Sequence, residues 1–252
     1  MSAQDFTIVI PARYASSRFP GKPLAKICGQ PMLWHVYQRA LEAAAREVIV
    51  ATDDERIADA AAGFGADVCM TSADCPSGTD RIAEVAAAKG WSEETIVVNL
   101  QGDEPLTPAT VVHQVANNLY SQSRAGIATL CSPIEREVDF HDPNVVKVLF
   151  DTDGRALYFS RAPIPFDRNA KPGQPVVAWR HIGIYAYRVA FLQQWTHMAG
   201  GQLEGLEKLE QLRALQNGVY IHVAEAAEVP SHGIDTPQQL QELEEQMQCQ
   251  DR

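Results

Sequence analysis

Two short apolar runs limit what this chain can fold into. "FTIVIPA" (residues 6–12) and "EVIVAT" (47–52) are rich in valine, isoleucine and alanine with little polar interruption. A strand that faces water on one side alternates apolar and polar residues, whereas a strand buried on both faces of a parallel sheet does not. Between them, Met32, Leu33, Val36, Tyr37, Ala40 and Leu41 recur at helical spacing in a stretch from Pro31 to Arg46, with Pro31 suited to a first turn. The alternation continues with "DERIADAAAGFG" as helix, "ADVCMTS" as strand, "TDRIAEVAAAKG" as helix and "TIVVNLQGDEP" as strand. This order predicts an α/β fold with a doubly wound, mostly parallel sheet and right-handed crossovers. Ligands in such sheets bind beyond the carboxyl ends of the strands, near a switch in strand order.

The second half reads differently. "GIATLCSPI", "NVVKVLFD", "ALYFSRAPIPF" and "RHIGIYAYRV" follow one another as strands with few helices between them, which predicts an antiparallel, β-rich extension of the sheet. "DRNAKPGQPVVAW" reads as a long polar loop. A helix from Gly205 to about Asn217, a strand "YIHVAEA" and a final helix from Thr236 complete the reading. No repeat, low-complexity tract or linker interrupts the 252 residues, so one continuous domain is expected.

Charge narrows the partners. A formal net charge of -11 argues against nucleic acid, whose phosphates demand a basic surface. Five cysteines (28, 69, 75, 131 and 249), odd in number and without a CxxC, suit reduced thiols in a cytoplasm better than a disulfide framework. No signal-like segment opens the chain and no apolar run approaches the length of a membrane span, so neither export nor membrane insertion is expected.

Against that acidic background, Arg13, Arg18 and Lys22 crowd the loop that leaves the first strand. Solvated surface charges are the plain alternative. The position favours a polyanion, because a loop running from a strand's carboxyl end toward a helix also offers backbone N–H groups. Neither GxxxxGK[ST] nor GxGxxG is present, so a triphosphate held by Arg and Lys side chains is the physical expectation. Asp103, just past the strand in "NLQGDEP", suits a cation; Mg²⁺ commonly takes only one or two carboxylates plus substrate phosphate. The alternative is a turn former in G-D-E-P. Asp235, before Thr236-Pro237, is a second acidic candidate and alone is equally a helix N-cap.

"IPARYASSRFPGKPL", "VATDDERI", "SGTDR", "VNLQGDEPL", "ALYFSRAPIPF", "HIGIYAYR", "LEKLEQLR" and "HGIDTP" occur in that order along nearly the whole chain. Together they closely resemble the 3-deoxy-manno-octulosonate (Kdo) cytidylyltransferase family. The resemblance implies the nucleotide-diphospho-sugar transferase α/β fold, with about 1–125 as the nucleotide-binding half and about 126–235 as a sugar-binding and dimerisation lobe. It implies transfer of CMP from CTP to the anomeric hydroxyl of Kdo with release of pyrophosphate, for lipopolysaccharide biosynthesis, by a Mg²⁺-dependent enzyme that is a cytoplasmic homodimer. Arg13, Arg18 and Lys22 would bind the CTP phosphates. Ser77, Gly78, Thr79 and Arg81 would line the cytosine and ribose, and Gln101 and Asp103 would sit at the ribose and α-phosphate. Asp103 and Asp235 would hold the metal, and Arg161, His181, Tyr187, Glu210 and Gln211 would hold Kdo. Direct in-line displacement is expected, since none of these motifs supplies a His or Cys that demands a covalent intermediate.

Taken without the family, the sugar-lobe residues have ordinary explanations. Tyr187 fits core packing and His181 an exposed strand position. Glu210 fits the solvated side of a helix whose Leu206, Leu209, Leu212 and Leu215 form the buried stripe. One departure is visible: Gly200 and Gly201 precede this helix where the family commonly has Ser-Pro-Leu-Glu, which predicts a looser helix start. Rival readings are a cytidylyltransferase for an 8-amino Kdo analogue or for sialic acid, and a non-catalytic nucleotide sensor. The sensor would lack Lys22 or Asp103, and both are present.

Overall fold

The computed structural model describes residues 5–15, 19–169, 177–230, 233–234 and 236–250; Arg18 and Asp235 lie outside them. The chain runs β1 (Phe6–Ala12), a 3₁₀ turn (Lys22–Leu24), a ribbon of β2 (Lys26–Ile27) and β3 (Gln30–Pro31), α1 (Met32–Glu42), β4 (Glu47–Thr52), α2 (Glu55–Gly63), β5 (Asp67–Met70), α3 (Gly78–Lys89) and β6 (Ile96–Asn99). It continues through α4 (Ala109–Ser121), β7 (Ile127–Pro133), α5 (Glu137–His141), β8 (Lys147–Phe150), β9 (Ala156–Ser160), β10 (Trp179–Arg188), α6 (Val189–Trp195), α7 (Gln202–Glu207), α8 (Gln211–Gln216), β11 (Ile221–Glu225) and α9 (Pro237–Gln250).

The main sheet is ordered β11-β7-β10-β6-β1-β4-β5, with the β8–β9 hairpin attached to β10. β1 pairs in parallel with β4 and β6, β4 with β5, and β11 with β7. β10 runs antiparallel between β6 and β7. The doubly wound sheet with an antiparallel extension is therefore as the sequence predicts. The two helical layers follow from a residue-by-residue alternation of faces. Ile8, Ile10, Val48, Val50 and Val98 face α1, α2 and α4, whereas Val9, Ile49, Ala51 and Val97 face α3, α6 and α8. Both faces are covered, so the strands can be apolar throughout.

Three features differ from the sequence reading. Helix α4 is absent from it, although Val111, Val112, Val115, Ala116 and Leu119 form its buried stripe. The helix expected from Gly205 to Asn217 is two helices, because Lys208 takes the left-handed region at φ 54 and breaks it. The break shifts the phase: Leu206 is 72% exposed while Leu209 and Leu212 are buried, so the four-leucine stripe does not form. The glycines before α7 do not loosen its start. The Gly201 N–H donates to the Glu204 carboxylate at 3.4 Å, the Leu203 N–H donates to Gln216 Oε1 at 3.2 Å, and a Cβ on Gly201 would meet that same oxygen at 2.0 Å.

One buried charge holds the second half together. Lys147 is fully buried in β8, and its ammonium donates to the carbonyls of Asp142 (2.9 Å), Val145 (2.5 Å) and Arg161 (2.8 Å). Burial pushes its pKa down, but the three acceptors satisfy its three N–H bonds. Lys147→Met keeps the bulk and strands three carbonyls. It should cost about 3 kcal/mol or more of unfolding free energy, measured as a shift of the urea midpoint.

Candidate active site

β1, β4, β5, β6, β7 and β11 all point the same way, so the segments after β1, β4, β5 and β6 collect at one edge of the sheet. The first loop is closed there by a hydrogen bond from the Gly21 N–H to the Tyr14 carbonyl at 2.9 Å. Gly21 has φ 71, and a Cβ on it would stand 3.1 Å from the Tyr14 ring, so this turn calls for glycine. Lys22 follows directly. Its ammonium donates to the Asp103 carboxylate at 2.5 Å and to the Ile234 carbonyl at 2.9 Å, and the Ile234 N–H donates to the Asp103 carbonyl at 2.9 Å.

Three segments far apart in sequence, with Lys22 and Ile234 separated by 212 positions, thus meet at one ion pair. The side chains of Lys22 and Asp103 are only 12% and 32% exposed, so the pair is stronger than an open surface contact. Gly102 lets this turn approach β1 closely: a Cβ there would sit 3.0 Å from the Pro11 carbonyl. Next to it, Glu104 is pushed up to about 7, first by burial and then by the Asp103 charge. Arg13 is exposed at the end of β1. Of the residues predicted for phosphate and metal, the structure therefore joins Lys22 and Asp103 and brings the chain within one residue of Asp235. Arg18 and Asp235 fall outside the described residues.

The "SGTDR" segment caps α3. Ser77 is its N-cap, with its hydroxyl donating to the Asp80 carboxylate at 2.6 Å. Gly78 lies against Pro11 and near Gln101, where an added Cβ would be 3.6 and 3.9 Å from their side chains, so two of the predicted nucleotide residues, Gly78 and Gln101, meet at the end of β1. Arg81 is 3% exposed, is paired with Asp53 at 3.1 Å and donates to the Thr71 hydroxyl. Its charge thereby ties together the segments after β4 and β5.

The same segment reaches into the second half. The Thr79 hydroxyl is 3.2 Å from the Tyr187 hydroxyl, and the Trp195 indole N–H donates to the Asp80 carboxylate at 3.0 Å. The guanidinium of Arg213 stacks over Trp195 at 4.2 Å and pairs with Glu204 at 2.8 and 2.5 Å. A small cavity of about 10 Å³ at this seam is lined by Thr79, Tyr185, Tyr187, Trp195, Glu210 and Gln211, among others. Of the residues predicted for the sugar, it collects Tyr187, Glu210 and Gln211. Tyr185, Asp80 and Asn99 belong to this seam and are missed by the sequence reading, because each reads locally as core or helix surface. Burial raises the pKa of Glu210, Tyr185 and Tyr187, with Glu210 adding to the shift of both tyrosines.

Arg161 and His181 do not line this cavity, although the His181 ring lies 5.4 Å from that of Tyr185, which does. Arg161 donates to the carbonyls of Glu207 (2.7 Å) and Pro143 (2.8 Å), so part of its fork is committed to backbone. His181 is half-buried on β10, edge-on to Phe159, with Nε2 3.0 Å from the Thr129 hydroxyl. That hydroxyl donates to the carbonyls of Ile182 and Ile184, so Nε2 must carry the proton and donate to it.

Burial, then the neighbouring Arg180 charge, pushes His181 down to about 3. The folded protein therefore keeps it neutral, while the unfolded chain takes up a proton near its ordinary value of about 6.5. Its stabilisation is complete above that value and is lost as pH falls toward 3. Between pH 7 and 5 this amounts to on the order of 2 kcal/mol. His181→Gln should flatten the decline of Tm over that interval relative to the parent protein, as followed by calorimetry.

The geometry matches known proteins over the whole chain. A cytidylyltransferase family model covers residues 7–222. The 3-deoxy-manno-octulosonate cytidylyltransferase of Hahella chejuensis is 54% identical over 244 residues, 94% of this chain and 96% of the relative. That of Haemophilus influenzae (strain PittEE) is 51% identical over 247 residues, 95% of this chain and 97% of the relative. A solved structure of CMP:2-keto-3-deoxy-manno-octonic acid synthetase complexed with CTP is 42% identical and superposes with a TM-score of 0.90, covering 98% of this chain and 99% of that one. A cytidylyltransferase from Leptospira borgpetersenii shares the fold at 18% identity and TM-score 0.59. The chain belongs to the family of 3-deoxy-manno-octulosonate cytidylyltransferases.

Proposed function

We propose that this chain transfers CMP from CTP to the anomeric hydroxyl of Kdo, giving CMP-Kdo and pyrophosphate for lipopolysaccharide biosynthesis. The observation that carries the reading is the meeting of Lys22, Asp103 and the Ile234 backbone at the carboxyl edge of the sheet, beside the "SGTDR" turn. The relatives' shared name and the CTP-bound solved relative supply the substrates.

Lys22, with Arg13 and Arg18 on the same loop, would offset the charge on the triphosphate and on departing pyrophosphate. Ser77, Gly78, Thr79 and Gln101 would hold the cytidine against the end of β1, while Arg81 keeps the turn in place from behind. Tyr187, Glu210 and Gln211 would orient the sugar acid so that its hydroxyl lies in line with the α-phosphorus and the leaving oxygen. Direct displacement requires no covalent intermediate.

A divalent ion fits this donor set. Asp103 already attracts a cation in the form of the Lys22 ammonium, and its oxygens are the hard donors Mg²⁺ prefers. Among the described residues no three acidic, His or Cys side chains form a cage, so Asp103 and Asp235 together with CTP oxygens would hold Mg²⁺. When bound, the ion supplies charge neutralisation at the α-phosphate.

We also propose a homodimer. Among the described residues β9 pairs with β8 alone, leaving a sheet edge, and Leu157 on it and the following Phe166 are exposed. Sedimentation velocity should show twice the 27.7 kDa chain mass. No helix among the described residues is long and apolar enough to cross a membrane, and a cytoplasmic location is the reading that suits a CTP-dependent enzyme.

Pyrophosphate release tests the assignment. CTP with Kdo should far outpace UTP, ATP or GTP with Kdo, and CTP with an 8-amino analogue or sialic acid. Comparable rates with a purine nucleotide would remove the "SGTDR" turn from base recognition, and preference for another acid would replace Kdo. Asp103→Asn should lower kcat/KM roughly a hundredfold or more. Its unfolding free energy should fall by only about 1 kcal/mol, since the amide still accepts from Lys22.

A further inference from the structure

Asn99 closes β6 in the middle of the sheet. It is fully buried, and neither its Oδ1 nor its Nδ2 makes a hydrogen bond of ordinary geometry among the described residues. Its neighbours in the strand are Val97 and Val98, and a third valine would fit the pattern without leaving an amide unpaired. A desolvated, unpartnered amide weakens a fold. Its place in the ladder shows where the amide points. Asn99 is in register with Val9 on β1 and with Tyr185 on β10, and it shares a face with Val97. All three belong to the layer facing α3, α6 and α8, the side on which the seam cavity lies.

On that face Asn99 lies diagonally across from Tyr187, which pairs with Val97 two residues earlier in β6, and an amide there favours the ionised form of the Tyr187 hydroxyl. That hydroxyl is 3.2 Å from Thr79 Oγ1, and the Thr79 and Ser77 hydroxyls in turn favour the charged form of Glu210. Glu210 is the outer end of this line, and its Oε2 is buried without a partner among the described residues. The chain of groups thus has an orphaned acceptor at each end, Asn99 Oδ1 beneath the strand and Glu210 Oε2 at the cavity.

We propose that Asn99 is a positioning residue for the sugar-acid substrate: it fixes the Tyr187 hydroxyl and, through Thr79, the direction in which Glu210 offers its free carboxylate oxygen to a substrate hydroxyl. The proposal rests on the reading above that Tyr187 and Glu210 face the sugar acid.

Asn99→Val and Asn99→Thr test it as a pair, since the two side chains have nearly the same shape and differ by a hydroxyl that can replace the amide as donor to Tyr187. Both should keep the parent Tm or exceed it, because each removes the unpaired amide carbonyl. CTP affinity by calorimetry should stay within about twofold in both. The KM for Kdo should rise at least tenfold in Asn99→Val and recover most of the way in Asn99→Thr. Equal sugar KM in the two variants, or a parent-like value in Asn99→Val, would overturn the proposal. So would a loss of CTP affinity and Tm in step with the sugar KM, which is the pattern of a packing residue. If Asn99→Val fails to fold, Asn99→Thr and Asn99→Ser carry the test: a parent-like sugar KM in both supports the donor role, and a tenfold rise in both overturns it. A parent enzyme that turns over another sugar acid replaces Kdo but leaves this inference standing, with the comparison read on that acid. One that uses no sugar acid overturns both.

Discussion

The arrangement of this site depends on one ammonium group. Lys22 sits where a 3₁₀ turn begins, and its side chain spans from the carboxylate of Asp103 to the carbonyl of Ile234. A lysine offers three donors on a flexible stem, so it can join a strand end to a returning backbone that shares no secondary structure with it. Without it, the turn after β6 and the segment leading into α9 would keep the hydrogen bond from the Ile234 N–H to the Asp103 carbonyl and the apolar contact of Leu106 with the cluster that holds Ile234. In the proposed reaction the same group that assembles the edge would also meet the triphosphate. Placement of the charge and cohesion of the site are therefore one problem with one solution.

A second layer of organisation lies at the start of α3. The five residues from Ser77 to Arg81 divide their labour by direction. Ser77 caps the helix, Arg81 turns inward to Asp53 and Thr71, and Thr79 and Asp80 reach Tyr187 and Trp195 across the seam. A turn read as a nucleotide-binding surface is equally a bracket between two parts of the molecule. A displacement of this turn by a few tenths of an ångström is felt at Tyr187 and Trp195, because closely packed groups transmit displacement.

The parallel sheet was legible because its strands are apolar in runs and its helices apolar by period, two patterns that local sequence records faithfully. The cations of the first loop stood out because Arg13 and Lys22 are unusual beside so acidic a composition. What was not legible depends on partners distant in sequence. Arg81 looks like an available cation until Asp53 is placed next to it. The break at Lys208 gave no signal, since the residue in the left-handed conformation is not glycine. Asn99 passes for the polar tail of a strand, and only the fold shows that it is fully buried, in register with Tyr185. Lys147, within "NVVKVLFD", carried a real signal: a lone lysine in an apolar run implies either an edge or a set of carbonyls waiting for it.

The position of β10 has a consequence for how the protein acquires this shape. It occupies the slot between β6 and β7, yet both of those strands precede it in the chain. Until residues 179–188 arrive, β6 and β7 each present an open ladder of N–H and C=O groups, and the sheet is two pieces rather than one. A ribosome-bound chain truncated after the first half thus carries a competent-looking β-α-β core with a raw edge, open to pairing with other chains. Long-range strand insertion is slow because loop closure precedes its reward. The centre of the sheet is then sealed only after the strands on both sides of it have been made, and the step that seals it is also the one that brings Tyr185 and Tyr187 up to the carboxyl edge.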